Sequence, residues 1–248
     1  MAGHSKWAQI KRQKAAADFK KGATFSKIAR EIHVAVREGG PNPDANLRLR
    51  MALERAKREG MPNDTIERAI AKASGAGADA ENYETVIYEG YGPGGVAVLA
   101  VALTDNRNRT ASEVRHAFSR HNGTLGETGC VAWQFETVGQ IVISADGVDA
   151  DEVALLAIDA GATDVETENG EIIITTDPSE LGDVTERLKE AGLTIQAAEI
   201  QRVPQASVDV DGSQAQATLK LLEALEDLDD VQAVYTNANF PAEVTGAA

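Results

Sequence analysis

Residues 140–203 read QIVISADGVDADEVALLAIDAGATDVETENGEIIITTDPSELGDVTERLKEAGLTIQAAEIQRV. Apolar alternation predicts a strand at Gln140–Ser144. A helix is predicted at Asp151–Ala160, stopped by Gly161. Asn169-Gly170 between Asp164–Thr167 and Glu171–Thr175 is a hairpin signal, because two-residue loops of this type need positive φ. Asp177-Pro178-Ser179-Glu180 is read as the capped, Pro-led start of a second helix with Leu181, Val184, Leu188 and Ala191 inward. A last strand falls near Glu199–Val203. The order βαββαβ is the ferredoxin-like pattern.

On either side of this unit the grammar changes. Downstream lie one helix, near Gln214–Leu228, and one strand, Val231–Tyr235. Upstream, Val86-Ile87-Tyr88 and Val96–Leu103 are strand-like and joined by Gly90-Tyr91-Gly92-Pro93-Gly94-Gly95. A helix opened by Thr110, with Glu113 as a capping box, carries Ala111, Val114 and Phe118 and ends at Asn122-Gly123. Val131–Phe135 is again strand-like. The middle segment has too few elements of its own, so it is expected to recruit the tail around the inserted unit.

The first 75 residues contain only helical signals. Ser5 caps a first helix through Trp7 and Ile10, interrupted at Gly22. Phe25, Ile28, Ala29, Ile32, Ala35 and Val36 form the apolar face of a second. A third runs from about Asp44 to Gly60, and a fourth opens at Asp64 with Glu67 as a capping-box partner. Ser74–Ala78 reads as a linker. The expected fold class is multidomain α+β: an N-terminal all-α bundle (1–78), a discontinuous α/β-sandwich domain (79–138 plus 205–240) and, inserted in it, a ferredoxin-like domain (139–204).

Charge divides along the same lines. Residues 1–80 hold sixteen Lys/Arg and nine Asp/Glu, a net of +7; the rest holds eight and thirty, a net of −22. A basic head on an acidic body can bind phosphates while the body repels them. The candidate nucleic-acid contacts are Lys6, Lys11, Arg12, Lys14, Lys20, Lys21, Lys27 and Arg30, with Trp7 as a base-stacking surface. Weaker candidates are Tyr91 and Gly94 of the glycine loop, and Arg107 and Arg109 before the helix at Thr110. The simpler account of the glycine loop is a turn with positive φ. The simpler account of the arginines is a capped helix start with Asp105 paired to one of them.

Catalytic grammar is missing. Gly90–Gly95 lacks the Lys-Ser/Thr of a Walker loop and does not join a strand to a helix. Histidines 4, 33, 116 and 121 form no ligand set. Cys130 is the single cysteine, best read as a small buried residue, and excludes an intrachain disulfide. No metal, cofactor or small-molecule substrate is expected. The longest apolar run, Val96–Leu103, is far short of the roughly 20 residues that span a bilayer. The expected location is the cytoplasm, away from membranes.

The segments MAGHSKWAQIKRQKA, GGPNPDANLRLR, MPNDTIERAI, YEGYGPGG, DNRNRTASEVRHAF, LGETGCVAWQF and EDLDDVQAVYTN stand in the order seen in the YebC/PmpR family, which this chain resembles over nearly its whole length. That family includes the mitochondrial translational activator of cytochrome oxidase subunit one. Leu47 stands where many members have Pro, and Cys130 where Ser is common. The resemblance implies a helical bundle followed by two α/β domains, the third inserted in the second. It also implies a non-enzymatic role in gene expression: a DNA-binding transcriptional regulator or, alternatively, a ribosome-associated translation factor that contacts ribosomal RNA or tRNA and relieves stalling at proline-rich stretches. A third reading is a protein-interaction scaffold using the acidic body.

Overall fold

The computed structural model describes Trp7 and residues 21–75, 82–168 and 170–241. Three helices come first: α1 (Lys21–Gly39), α2 (Leu47–Arg58) and α3 (Asn63–Ser74). Their facing stripes, with Ile28, Ile32, Ala35, Leu49, Ala52, Ala56 and Ile66 buried, make one small core. Gly22 lies within α1 rather than interrupting a helix there. Helix α2 starts at Leu47, later than Asp44, because Asn46 is the residue that caps it. The Asn46 side chain accepts the Leu49 N–H at 3.0 Å and donates to the carbonyls of Ala35 (2.7 Å) and Gly40 (2.8 Å). A side chain at Gly39 would meet the Asn46 amide at 2.6 Å, so this junction needs glycine there. The expected capping box at Asp64 does not form; Pro62 precedes α3 with no side-chain cap, and its fixed φ begins the helix instead.

The chain then builds an antiparallel sheet from β1 (Glu84–Tyr91), β2 (Ala97–Thr104), β3 (Thr124–Leu125) and β9 (Val231–Thr236), in the order β3-β1-β2-β9. Helices α4 (Arg107–Arg120) and α7 (Gly212–Glu226) cover one face, where Val86, Tyr88, Val98 and Ala100 meet Val114, Phe118 and Leu222. The other face packs Ala97 and Leu99 against Val131 and Phe135. Two further short strands, β8 (Val208–Asp209) and β10 (Ala238–Asn239), pair in parallel.

Residues 136–202 group as a compact unit of their own. Its sheet takes β4 (Phe135–Ser144), β5 (Asp164–Glu168), β6 (Glu171–Thr176) and β7 (Ile195–Pro204) in the order β5-β6-β4-β7, with α5 (Ala150–Asp159) and α6 (Leu181–Glu190) as the connecting helices. The register Ile141↔Ile174 and Ile143↔Ile172 places four buried isoleucines on one face. Asn169 falls outside the described residues; Gly170 has the positive φ (81°) that a tight turn requires.

Three sequence expectations are corrected here. Val131–Phe135 is not a separate strand: Ala132–Gln134 is a 3₁₀ turn leading into an unbroken β4. The cause is Glu89, whose buried carboxylate accepts the N–H groups of Gly129 (2.7 Å), Val131 (2.9 Å) and Ala132 (2.7 Å) and so bends that backbone. Asp177 does not cap α6; it spends its carboxylate on the Ser179 N–H (2.8 Å), closing a turn before the helix begins at Leu181. Helix α4 starts at Arg107, capped by Asn106, which accepts the Arg109 N–H at 3.1 Å. Thr110 is instead fully buried, for a reason given below.

Candidate nucleic-acid interface

Among the proposed head contacts, Lys6, Lys11, Arg12, Lys14 and Lys20 lie outside the described residues, and Lys21 is described only as backbone of α1. The other three point toward the protein itself. Trp7 is 3% exposed in the core shared by α4 and α7, and its indole N–H donates to Glu226 at 3.2 Å. A covered indole offers no face for stacking on a base. Lys27 donates to the Glu226 carbonyl, and Arg30 to the Asp229 carbonyl. These acceptors are the open carbonyls at and just beyond the end of α7, where the helix dipole and the acidic run Glu226–Asp230 attract cations.

Asp230 is the centre of this contact. Its side chain is only 2% exposed and pairs with Arg30 at 3.1 Å and Arg109 at 2.8 Å. It also accepts the hydroxyls of Thr110 (2.6 Å) and Thr104 (3.2 Å). Burial pushes this carboxyl upward, but the Thr110 and Arg109 hydrogen bonds and the two guanidinium charges outweigh it and hold it below the usual carboxylate range. Thr110 is buried because its hydroxyl completes this site. Asp230 and Asp105 (2.8 Å) raise the Arg109 pKa, keeping it charged. Arg109 is therefore a structural cation, as the simpler sequence account had it.

The remaining weak candidates are placed as follows. Gly94 has φ 78°, and the space a side chain would take is filled by Gln214 at 2.9 Å, so the glycine loop is a turn fitted to α7. Gly90 and Tyr91 belong to β1 rather than to the loop. The Tyr91 hydroxyl donates to the Cys130 carbonyl (3.0 Å), as does the indole N–H of the exposed Trp133 (3.2 Å). Burial and the Glu89 charge raise the Cys130 thiol, which leaves it a poor nucleophile. Arg107 is exposed and lies 3.5 Å from Glu84. Among the described residues, no three His, Cys, Asp or Glu side chains gather as a metal site, and no helix is long and apolar enough to cross a membrane.

Sequence reasoning named only Arg107 and Arg109 on one basic helix and no basic residue on another. Helix α2 (LRLRMALERAKR) carries five Lys/Arg against one Glu, for a net of +4. Arg48 pairs with Glu38 and Arg55 with Glu31, while Lys57 and Arg58 are exposed. Helix α4 carries four arginines against Glu113. Counting charges per helix, rather than from the chain start, is the signal that finds both.

The sequence profile described as "TACO1/YebC protein N-terminal domain" matches residues 5–76, and that described as "TACO1/YebC second and third domain" matches residues 83–238. The chain belongs to this family. It is 72% identical over 247 residues to a protein of Thermomicrobium roseum named "Probable transcriptional regulatory protein", with both chains fully covered. A Rubrobacter xylanophilus protein of the same name is 49% identical, covering 98% of each chain. The crystal structure of a conserved hypothetical protein from Aquifex aeolicus superimposes with a TM-score of 0.83 at 50% identity, covering 90% of this chain and 92% of that one. Mixed α+β architecture, with helices first and antiparallel sheets after, is common to both.

Proposed function

We propose that this protein is a non-enzymatic regulator of gene expression that binds nucleic acid through its helical head, acting as a DNA-binding transcriptional regulator. Segregated charge carries this reading: +7 before residue 81 against −22 after it. A net of +4 on α2 keeps basic charge on the described part of the head even though Lys27 and Arg30 are committed to the body. The names of the relatives point the same way. In this reading the head is residues 1–78, the sheet domain 79–138 with 205–240, and the inserted domain 139–204.

One observation is equally compatible with the rival, a ribosome-associated translation factor. Neither α1 nor α2 contains Asn or Gln, the side chains that read adenine edges. Phosphate binding without base reading suits ribosomal RNA or tRNA as well as DNA.

Changing Lys11, Arg12 and Lys14 to Glu tests the head. Binding to duplex DNA should weaken, and its salt dependence should flatten by roughly 0.9 per lost phosphate contact. Unchanged binding removes the proposal and favours the scaffold. Footprints on a defined promoter, absent from shuffled DNA, select transcription; ribosome co-sedimentation that survives DNase but not RNase selects translation.

A further inference from the structure

Of the eight Lys/Arg that follow residue 80, four stand on the fourteen residues of α4. The other helices after residue 80 are different: α5 has acids and no base, while α6 and α7 have more acids than bases. The exposed side of α4 presents Asn108, Ser112, Glu113, Arg115, His116, Ser119 and Arg120. Ser112, His116 and Arg120 follow at four-residue steps, and Asn108, Ser112, Arg115 and Ser119 at steps of four, three and four, so they form adjoining stripes of one face. Serine and asparagine donate hydrogen bonds, arginine donates up to five, and Glu113 is the one carboxylate among these exposed positions.

Structural duties account for part of this helix only. Arg109 is held by Asp230 and Asp105, and Arg107 faces Glu84. Arg120, in the last turn, suits the helix dipole. Arg115 sits mid-helix and exposed, with no carboxylate partner among the described residues, and nothing in the fold requires it.

We propose that this face of α4 is a second phosphate-binding surface, occupied by the backbone of the double-stranded DNA that the head engages; it rests on the nucleic-acid reading of the head. Continuity supports the occupant. Arg30 of α1 and Arg109 of α4 lie 3.1 and 2.8 Å from the same Asp230 carboxylate, so the α4 stripe begins where the head makes contact. From there it runs about 20 Å, with Arg115 and Arg120 about 7.5 Å apart along the axis. Asn108 and Ser112 supply neutral donors of the kind that commonly fix phosphate oxygens, while the Ser119 hydroxyl donates to the Arg115 carbonyl (2.9 Å).

The test uses the full chain with a 20-bp DNA duplex, titrated by fluorescence anisotropy from low to high salt. Arg115→Glu/Arg120→Glu should lower the slope of log affinity against log salt by about 1.8 and weaken binding roughly 60-fold at 0.1 M salt. Arg115→Lys/Arg120→Lys should keep most of the affinity, and neither pair should move the thermal midpoint. Wild-type affinity and slope in the Glu pair, alongside lost binding in the Lys11/Arg12/Lys14 variant, would overturn the α4 surface and leave the head intact. Absence of binding by the wild-type chain takes down both. An effect confined to an RNA duplex of the same sequence overturns DNA as the occupant. Lost self-association on sedimentation, with DNA binding intact, makes the surface a contact between copies.

Discussion

The Asp230 junction and the exposed face of α4 are built from the same residue types and share a helix, yet they do opposite things. At the junction, Arg30 and Arg109 converge on a carboxylate withdrawn from water, with Thr104 and Thr110 filling its other lone pairs. Two to three turns further along α4, Arg115 and Arg120 are exposed and form no ion pair among the described residues. The contrast teaches that net charge counts cations without sorting them. Those placed against helix-end carbonyls and a buried Asp hold the fold; those left over are available to a ligand.

The comparison can be broken most forcefully at Trp7. Its burial predicts that Trp7→Ala costs about 3–5 kcal/mol, as for other large core truncations. If denaturant melts show unchanged stability while DNA binding falls, the indole belongs to the ligand surface instead. Next is Asp230→Ala, which removes the buried carboxylate that two arginines and two hydroxyls share. A loss of about 2–3 kcal/mol is expected, or roughly 5–10 °C in Tm by calorimetry. Glu89→Ala should cost about 1–3 kcal/mol by freeing three buried or half-buried N–H groups, with Trp133 fluorescence reporting the loosened turn.

Acid sharpens the contrast further. Because the folded-state value of Asp230 is depressed, its contribution is present above the unfolded carboxylate range and is lost as pH falls through the folded value. Asp230→Asn should therefore flatten the acid limb of the stability curve measured by urea titration at stepped pH. The smallest expected effect is on the exposed side: Arg115→Ala/Arg120→Ala should stay within about 0.5 kcal/mol of wild-type stability. A larger loss would place those arginines with the structural group.

Periodicity made most of this molecule legible. The stripes of α1 and α6, the hairpin at Gly170 and the return of residues 231–236 as a strand follow from apolar spacing and turn chemistry, both local properties. What escaped were positions where a distant residue overrides the local signal. Thr110 looks like a cap but answers to Asp230, 120 positions away. Val131–Phe135 looks like a strand but is bent by Glu89. At the candidate site the same limit applied. Lys27, Arg30 and Trp7 were grouped with their basic neighbours because composition cannot foresee the acidic helix end that claims them. Arg115 and Arg120 were overlooked because they lie in a region whose total charge is negative.

The placement of β9 has a consequence for biosynthesis. Strand β2 is almost wholly buried, yet the neighbour that covers one of its edges is encoded more than a hundred residues later. At roughly 5–20 residues per second, that edge waits on the order of ten seconds for its partner to be made. A nascent chain paused in this interval carries an open, apolar hydrogen-bonding template, which is where cotranslational aggregation, or a chaperone that prevents it, would act first.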